Sequence, residues 1–123
     1  MKKNKREAEW TAKNMHRLPP VAWEVKLAQP LYPDRIYYKQ FAKHQISSLL
    51  KAKHQRLVYK IRDEGVSQKP MDGITLERVP AWVILVYGKN AYAVDIDVFY
   101  NFCMREGNVS VKEPDAARLG TII

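Results

Sequence analysis

Glu24 and Lys26 are separated by one residue within the apolar stretch 21–27, and together they could act on a phosphate ester. Because side chains alternate between the two faces of a strand, this spacing predicts that both lie on one face, while the apolar residues at odd positions point into a core. A carboxylate there can hold a divalent cation, and a neighbouring ammonium can steady a scissile phosphate or its attacking water. The alternative is a structural charge pair on a solvated sheet edge, because Glu-x-Lys arises about once by chance in a chain of this length.

The net charge favours a polyanionic partner. The 123 residues include 21 Lys and Arg against 13 Asp and Glu, which gives a formal charge of +8. The acids of residues 1–60 are only Glu7, Glu9, Glu24 and Asp34, so the basic field is concentrated in this half. A membrane surface is a weaker candidate, since no predicted helix opposes a large apolar face to a lysine-rich one. Nucleic acid is the expected partner, with a charge that serves only solubility as the alternative.

The remaining composition excludes several other classes of protein. Cys103 is the only cysteine, which rules out an internal disulfide and a cysteine-based zinc cluster. The histidines have no metal-ligand spacing. No apolar run is long enough to cross a bilayer, and the basic N-terminus is not followed by the apolar segment of a secretory signal. These features predict a single intracellular, cytoplasmic domain over residues 1–123, with residues 1–6 as a basic tail and no membrane contact.

Two helices are predicted in the first half of the chain. Residues 5–16 lack Gly and Pro and are rich in Ala, Glu and Lys, which favours a helix with Ala8, Ala12 and Met15 facing inward. Residues 29–34 contain two prolines and predict a loop. A second helix is predicted over residues 39–54, because apolar groups recur there at helical spacing. These groups are Ala42, Ile46, Leu49, Leu50 and the stem of Lys53.

The second half predicts strands. Alternating or continuous apolar residues place them at residues 56–62, 81–87 and 91–99. The middle one is an unbroken apolar run, which is typical of a strand covered on both faces. Asp95 and Asp97 are expected on the solvent face of the last strand, and a short helix follows it. Residues 106–123 are expected to form a loosely ordered tail.

The order of these elements resembles the PD-(D/E)XK nuclease superfamily and, within it, the RecU-type Holliday junction resolvases. The resemblance rests on the strand with Glu24-Val25-Lys26, the helix with His44-Gln45-Ile46, the apolar strand 81–87 and its hairpin partner. It covers residues 21–55 and 80–102. The fold that it implies is α/β (α+β), a restriction-endonuclease-like central mixed β-sheet flanked by helices.

The resemblance also implies an activity and roles for individual residues. It implies a DNA endonuclease of bacterial, archaeal or viral type that needs Mg²⁺, or Mn²⁺ in its place, and acts as a homodimer on branched DNA. Glu24 would bind the metal, and Lys26 would help to orient the water and the phosphate. His44 and Gln45 would approach the site or the DNA backbone. Glu7 matches the helical glutamate that completes the metal environment in several resolvases.

The sequence departs from the family at one position that matters. The family places a metal-binding aspartate on the strand before Glu-x-Lys, yet no aspartate precedes Glu24 here. An extra stretch, residues 56–79, contains Lys69-Pro70-Met71-Asp72-Gly73. Since Mg²⁺ needs anionic anchors, we expect Asp72, or alternatively Asp63, to fold back along the sheet beside Glu24, with Lys69 in a supporting role. The alternative is that Asp72-Gly73 is an ordinary turn.

DNA contacts are expected from two basic groups. They are Lys2, Lys3, Lys5 and Arg6 at the N-terminus, and Lys43 and Lys51 on the outer face of the second helix. The rival function is a non-catalytic nucleic-acid-binding module on the same fold. A third possibility, an assembly protein that binds no nucleic acid, predicts no saturable binding to junction DNA.

Overall fold

A computed structural model of the chain describes residues 5–19, 22–60 and 73–123. Its helices are α1 (Lys5–Asn14), α2 (Lys43–His54), α3 (Ile96–Tyr100) and α4 (Glu113–Leu119). Its strands are β1 (Ala22–Leu27), β2 (Arg35–Tyr37), β3 (Arg56–Lys60), β4 (Gly73–Glu77), β5 (Ala81–Tyr87), β6 (Asn90–Asp95), β7 (Ser110–Lys112) and β8 (Thr121–Ile122). Within these described ranges, no helix combines the length and the apolar character needed to span a bilayer.

The central sheet of the described chain contains strands in the order β1-β5-β6-β8. β1 runs parallel to β5, with Glu24 opposite Val83 and Lys26 opposite Leu85. β6 is antiparallel to both of its neighbours. α2 lies in the crossover between β1 and β5 and supplies part of the long connection that parallel strands need. The prediction of a mixed sheet flanked by helices is therefore confirmed.

Both faces of the central sheet are covered by apolar side chains. Val83 and Leu85 of β5 belong to one buried cluster with Ile46 of α2. Ile84, on the opposite face of β5, belongs to a second cluster against which Trp10 of α1 packs. The unbroken apolar run of β5 is explained by this burial on both faces, as predicted.

The prediction that Ala8, Ala12 and Met15 form the inward face of α1 is wrong. Ala8 and Ala12 are exposed, and Met15 is 57% exposed in the 3₁₀ turn that follows the helix. Trp10 packs on the sheet instead, because its ring removes far more apolar area from water than two methyl groups do. Glu7 precedes Trp10 by three residues, so both lie on the same side of the helix.

α2 begins at residue 43 rather than at residue 39. The Ala42 amide donates a hydrogen bond to Gln45 Oε1 at 2.9 Å, which caps the start of the helix. Ile46 and Leu49 are buried, as predicted. Ala42 is exposed, and the Lys53 ammonium contacts two aspartates. Neither of these residues therefore belongs to the apolar face.

β6 ends at Asp95 rather than at Phe99. Asp95 Oδ1 accepts a hydrogen bond from the backbone amide of Asp97 at 2.9 Å, which is the geometry of a helix N-cap. α3 therefore starts immediately and buries Ile96 and Phe99. The expectation that Asp97 lies on the solvent face of a strand is wrong, whereas Asp95 is the partly exposed last residue of β6.

Residues 106–123 do not form a loosely ordered tail, contrary to the prediction. β7 pairs antiparallel with β2, and β8 pairs with β6 in the central sheet. Val111 of β7 and Ala116 of α4 are fully buried. The chain approaches β6 closely at Gly120, where any side chain would collide with the Ala93 carbonyl.

β3 and β4 form a two-stranded hairpin of their own that contacts α2. The strand predicted at residues 56–62 is thus confirmed for residues 56–60. Gly73 pairs with Lys60 at the distal end of the hairpin. Three predicted site residues lie outside the described ranges, namely Asp63, Lys69 and Asp72. The expected approach of an inserted acid to Glu24 stays a prediction.

Candidate active site

Lys26 lies between two carboxylates beside β1. Its Nζ is 3.6 Å from Glu7 Oε1 and 3.9 Å from Glu24 Oε2, and its side chain is only 9% exposed. The ammonium also lies over the Phe41 ring, with 5.6 Å between Nζ and the ring centroid. A buried ammonium is unfavourable unless opposite charges or an aromatic face compensate it. We call Glu7, Glu24 and Lys26 the β1 triad.

Two features of the chain position the β1 triad. Glu24 and Lys26 are two residues apart on β1, so the strand places both on one face. α1 lies beside β1 because Trp10 packs on the sheet and the Arg6 guanidinium donates a hydrogen bond to the Ala28 carbonyl at 3.2 Å. The structure thereby brings the helical glutamate, Glu7, to the strand pair.

The β1 triad carries one more negative than positive charge when all of its groups are ionised. Burial raises the pKa of Glu7, and attraction to Lys26 and Arg6 only partly offsets this effect. A carboxylate that loses hydration without full compensation favours either a proton or a further cation. The surroundings of Glu7 therefore favour either its protonated form or the binding of an additional cation.

A cleft with a volume of about 700 Å³ opens beside the triad. Its polar lining consists of Glu7, Thr11, Glu24 and Gln45. The Gln45 side chain also caps α2, which fixes its amide at the cleft wall. His44 is exposed and is not among the residues that line the cleft. Cavities of about 300–1,000 Å³ hold ligands of drug size, so the cleft can admit a nucleotide of a DNA strand.

The triad offers two carboxylates that could hold a hydrated divalent cation. Glu7 Oε1 and Glu24 Oε2 lie on the same side of the sheet edge, since each is within 4 Å of Lys26 Nζ. Mg²⁺ in proteins usually keeps several waters and binds through one or two carboxylates, which is what the triad offers. Among the described residues, no group of three or more His, Cys, Asp or Glu side chains is arranged to hold a metal ion. Any cation at the triad would therefore depend on water for most of its ligands.

The predicted DNA contacts fall in two places. Lys43 and Lys51 are exposed on α2, where they line a second groove. Lys5 is the first residue of α1, and Arg6 is exposed with its guanidinium on a backbone carbonyl. Two further residues lie outside the described ranges, namely Lys2 and Lys3.

The sequence patterns did not predict a second charged group, which lies where α2 ends and α3 begins. Lys53 Nζ is 2.7 Å from an Asp95 oxygen and 2.6 Å from an Asp97 oxygen, and His54 Nε2 is 2.7 Å from Asp97. We call these four residues the α3 cluster. An aspartate before an apolar segment is an N-cap signal, so the role of Asp95 had a local signature. The contacts from Lys53 and His54 are long-range and had none.

Comparison of the chain with protein-family profiles, curated proteins and solved structures found no match. The family resemblance therefore rests on the residues themselves, and the argument about function rests on the geometry of the β1 triad.

Proposed function

We propose that this protein is a metal-dependent DNA endonuclease with a restriction-endonuclease-like fold that hydrolyses phosphodiester bonds of branched DNA. The observation that carries the proposal is the β1 triad, in which two carboxylates and one ammonium converge beside an open cleft. The two carboxylates of the triad suit a divalent cation, and the net charge of +8 suits DNA. A homodimer that engages both sides of a junction belongs to the same proposal.

Each triad residue has a defined role in this proposal. Glu7 and Glu24 hold the cation. The cation stabilises the ionised form of Glu7, which burial otherwise disfavours. A bound Mg²⁺ or Mn²⁺ supplies Lewis acidity and an acidified water at this place. Lys26 donates hydrogen bonds to the scissile phosphate and offsets the negative charge that develops during in-line attack. Gln45 contacts the DNA backbone at the cleft wall.

The rival function is a non-catalytic nucleic-acid-binding module, and one feature of the site favours it. Lys26 pairs with both carboxylates, and the described residues contain no third acid, His or Cys that completes a metal-binding group with them. In the rival, the β1 triad only fastens α1 to β1. The two functions therefore differ in what happens to a phosphodiester bond, while both include DNA binding.

Nicking of a labelled four-way junction in Mg²⁺ separates the two functions. We expect Glu24→Gln and Lys26→Met to lower the nicking rate by about 100-fold or more, since each removes a group that acts on the water or the phosphate. The matched controls Asp97→Asn and Lys53→Met change the same chemical types in the α3 cluster and should leave the rate unchanged. A linear duplex of the same sequence tests the preference for branched DNA.

Junction affinity is measured for the same variants without divalent cation, with circular dichroism as the check on folding. The proposal requires that Glu24→Gln binds the junction but does not cleave it. Wild-type protein that binds the junction and cleaves nothing in Mg²⁺ or Mn²⁺ would establish the rival instead.

Cation binding can be tested independently of cleavage. A ligand at 100 times its dissociation constant stabilises the folded state by about 2.7 kcal/mol, so Mg²⁺ should raise the unfolding temperature of the wild type. Glu7→Gln should weaken this response, whereas Asp95→Asn should retain it. An equal response in both variants would place the cation away from the triad.

A further inference from the structure

A second groove runs along the flank of α2 that faces away from the active-site cleft. It has a volume of about 520 Å³, and Lys43, Ser47, Lys51 and His54 form one wall. Ser47 follows Gln45, which lines the cleft, by two residues, so the two side chains point about 160° apart around the helix. We call this second cavity the α2 groove.

The helical wall of the α2 groove is suited to phosphate groups. Lys43, Ser47 and Lys51 recur at every fourth position, so they form a stripe of hydrogen-bond donors about 12 Å long. All three side chains are exposed, and none of the described residues that line the groove is acidic. An extended chain of phosphates matches such a stripe better than a single anion does.

The opposite side of the α2 groove is aromatic. The Tyr38 ring stacks on Phe99, with 5.9 Å between the ring centroids and an interplanar angle of 23°. Phe99 is fully buried, and Tyr100 packs against the same core cluster. Both tyrosines therefore line the groove and are supported from behind by the core.

We propose that the α2 groove binds an unpaired strand of DNA, with backbone phosphates on Lys43 and Lys51 and a base against Tyr38 and Tyr100. Single-strand sites combine a basic groove with aromatic stacking surfaces, and the volume of the groove lies within the range of ligand pockets, about 300–1,000 Å³. A base within a duplex is stacked on its neighbours and cannot meet the tyrosines, so paired DNA gains only the phosphate contacts.

The position of the groove has a consequence for the substrate. The cleft and the α2 groove lie on opposite flanks of α2, so DNA that fills both must carry an unpaired strand for the groove and a second segment for the cleft. This step rests on the proposed function of the cleft and narrows its substrate class to branched or forked DNA with single-stranded character. Strand binding by the groove itself does not depend on cleavage.

The test measures affinity by fluorescence anisotropy in EDTA, where no metal-dependent cleavage takes place. The probes are a labelled strand of about 16 thymidines, an abasic strand of the same length, and a duplex of the same length. We expect the thymidine strand to bind about tenfold more tightly than the abasic strand, because only the former can stack on the tyrosines.

Charge reversal at the groove tests the phosphate contacts. Lys43→Glu should weaken binding of the thymidine strand about tenfold and lower the slope of log affinity against log salt by about 0.7 or more. An acid in the first turn of α2 interacts favourably with the helix dipole, so Lys43→Glu should remain folded, which circular dichroism checks. The matched control Lys89→Glu changes the net charge equally at an exposed turn between β5 and β6, and should have a much smaller effect.

Three outcomes would overturn the inference. They are equal effects of Lys43→Glu and Lys89→Glu, equal affinity for the thymidine and abasic strands, and equal affinity for single-stranded and duplex DNA. A protein that passes these tests but cleaves neither a four-way junction nor a fork with an unpaired arm would retain the α2 groove as a strand-binding site and lose the proposed nuclease function.

Discussion

Two lysines of this molecule each lie between two carboxylates, but their surroundings are opposite in character. In the β1 triad, Lys26 Nζ is 3.6 and 3.9 Å from glutamate oxygens and its side chain is 9% exposed. In the α3 cluster, Lys53 Nζ is 2.7 and 2.6 Å from aspartate oxygens and its side chain is 28% exposed. A lysine between two carboxylates is thus buried and loosely paired in one place, and half-buried and closely hydrogen-bonded in the other.

The carboxylates of the two groups respond differently to these surroundings. Burial raises the pKa of Glu7, and its cationic neighbours do not cancel the effect. Burial also opposes the ionisation of Asp97, but hydrogen bonds from Lys53 and His54 outweigh it and lower the pKa of that carboxyl. Ion pairing therefore stabilises the charged form of Asp97, whereas burial disfavours the charged form of Glu7.

This difference in pKa and surroundings distinguishes a structural ion network from a candidate reactive site. In the α3 cluster, the acids stabilise the fold, since Asp95 caps α3 and Asp97 contacts the side chains of Lys53 and His54. In the β1 triad, a half-buried acid whose pKa is raised by burial lines an open cleft. Perturbation by burial beside a cleft is the pattern that functional sites share.

The largest effect that should distinguish the two groups is on stability. Lys26→Met keeps the length of the stem but leaves Glu7 and Glu24 near each other without their ammonium. We expect the free energy of unfolding to fall by about 3 kcal/mol, the low end for breaking a buried pair because both glutamates are partly exposed. Lys53→Met should lower it by about 1 kcal/mol, as is usual for exposed pairs. Urea denaturation measures both.

A double variant provides the control for this prediction. Glu7→Gln combined with Lys26→Met removes one of the two carboxylate charges that have lost the Lys26 ammonium. The double variant should recover more than half of the lost free energy of unfolding. If Lys26→Met unfolds at the same urea concentration as the wild type, the ammonium does not stabilise the two glutamates. The proposed difference between Lys26 and Lys53 would then be wrong.

Much of the fold followed from local patterns in the sequence. The apolar run of β5 and the alternation around Glu24 are properties of single strands, and a strand's burial is visible in its own residues. The inner face of α1 was wrong because one tryptophan outweighs three small or flexible apolar residues, which only the packing partner can show. The C-terminal segment was misjudged because β7, α4 and β8 are short and depend on distant pairing partners.

The candidate site divides in the same way. The Glu24–Lys26 pair was predictable because a strand converts spacing directly into position. The proximity of Glu7 came only from a resemblance, since nothing in α1 itself specifies which way it packs across β1. The α3 cluster was missed because Lys53 meets its aspartates across more than 40 residues of chain, and a pairwise contact at that separation leaves no local pattern.

An intermediate effect should mark Asp95 as a structural residue of the α3 cluster. Asp95→Ala removes the side chain that accepts the Asp97 amide, so we expect the free energy of unfolding to fall by about 1 kcal/mol or slightly more. Asp95→Asn keeps an N-cap acceptor and should lose only part of this amount. Equal losses in the two variants, measured by urea denaturation, would assign the effect to the contact with Lys53 instead of to the cap.

The smallest effect is also the most specific, because the two groups should give stability a pH dependence of opposite sign. The pKa of Glu7 is raised above its ordinary 4.5, so its contribution to stability declines as the pH rises from about that value through the folded-state pKa. The pKa of Asp97 is lowered below its ordinary 3.8, so its contribution is present above that value and is lost as the pH falls through the folded-state pKa.

The variants Glu7→Gln and Asp97→Asn allow the opposite pH dependences of stability to be measured. With unfolding free energies measured from about pH 3 to pH 7, the difference between Glu7→Gln and wild type should increase with pH, because only the wild type acquires the unfavourable buried charge. The difference between Asp97→Asn and wild type should decrease with pH, because only the wild type gains the ion pairs. Each change should stay below about 1 kcal/mol, as for other partly exposed charges. Two difference curves with the same slope would mean that the β1 triad and the α3 cluster are one kind of ion network.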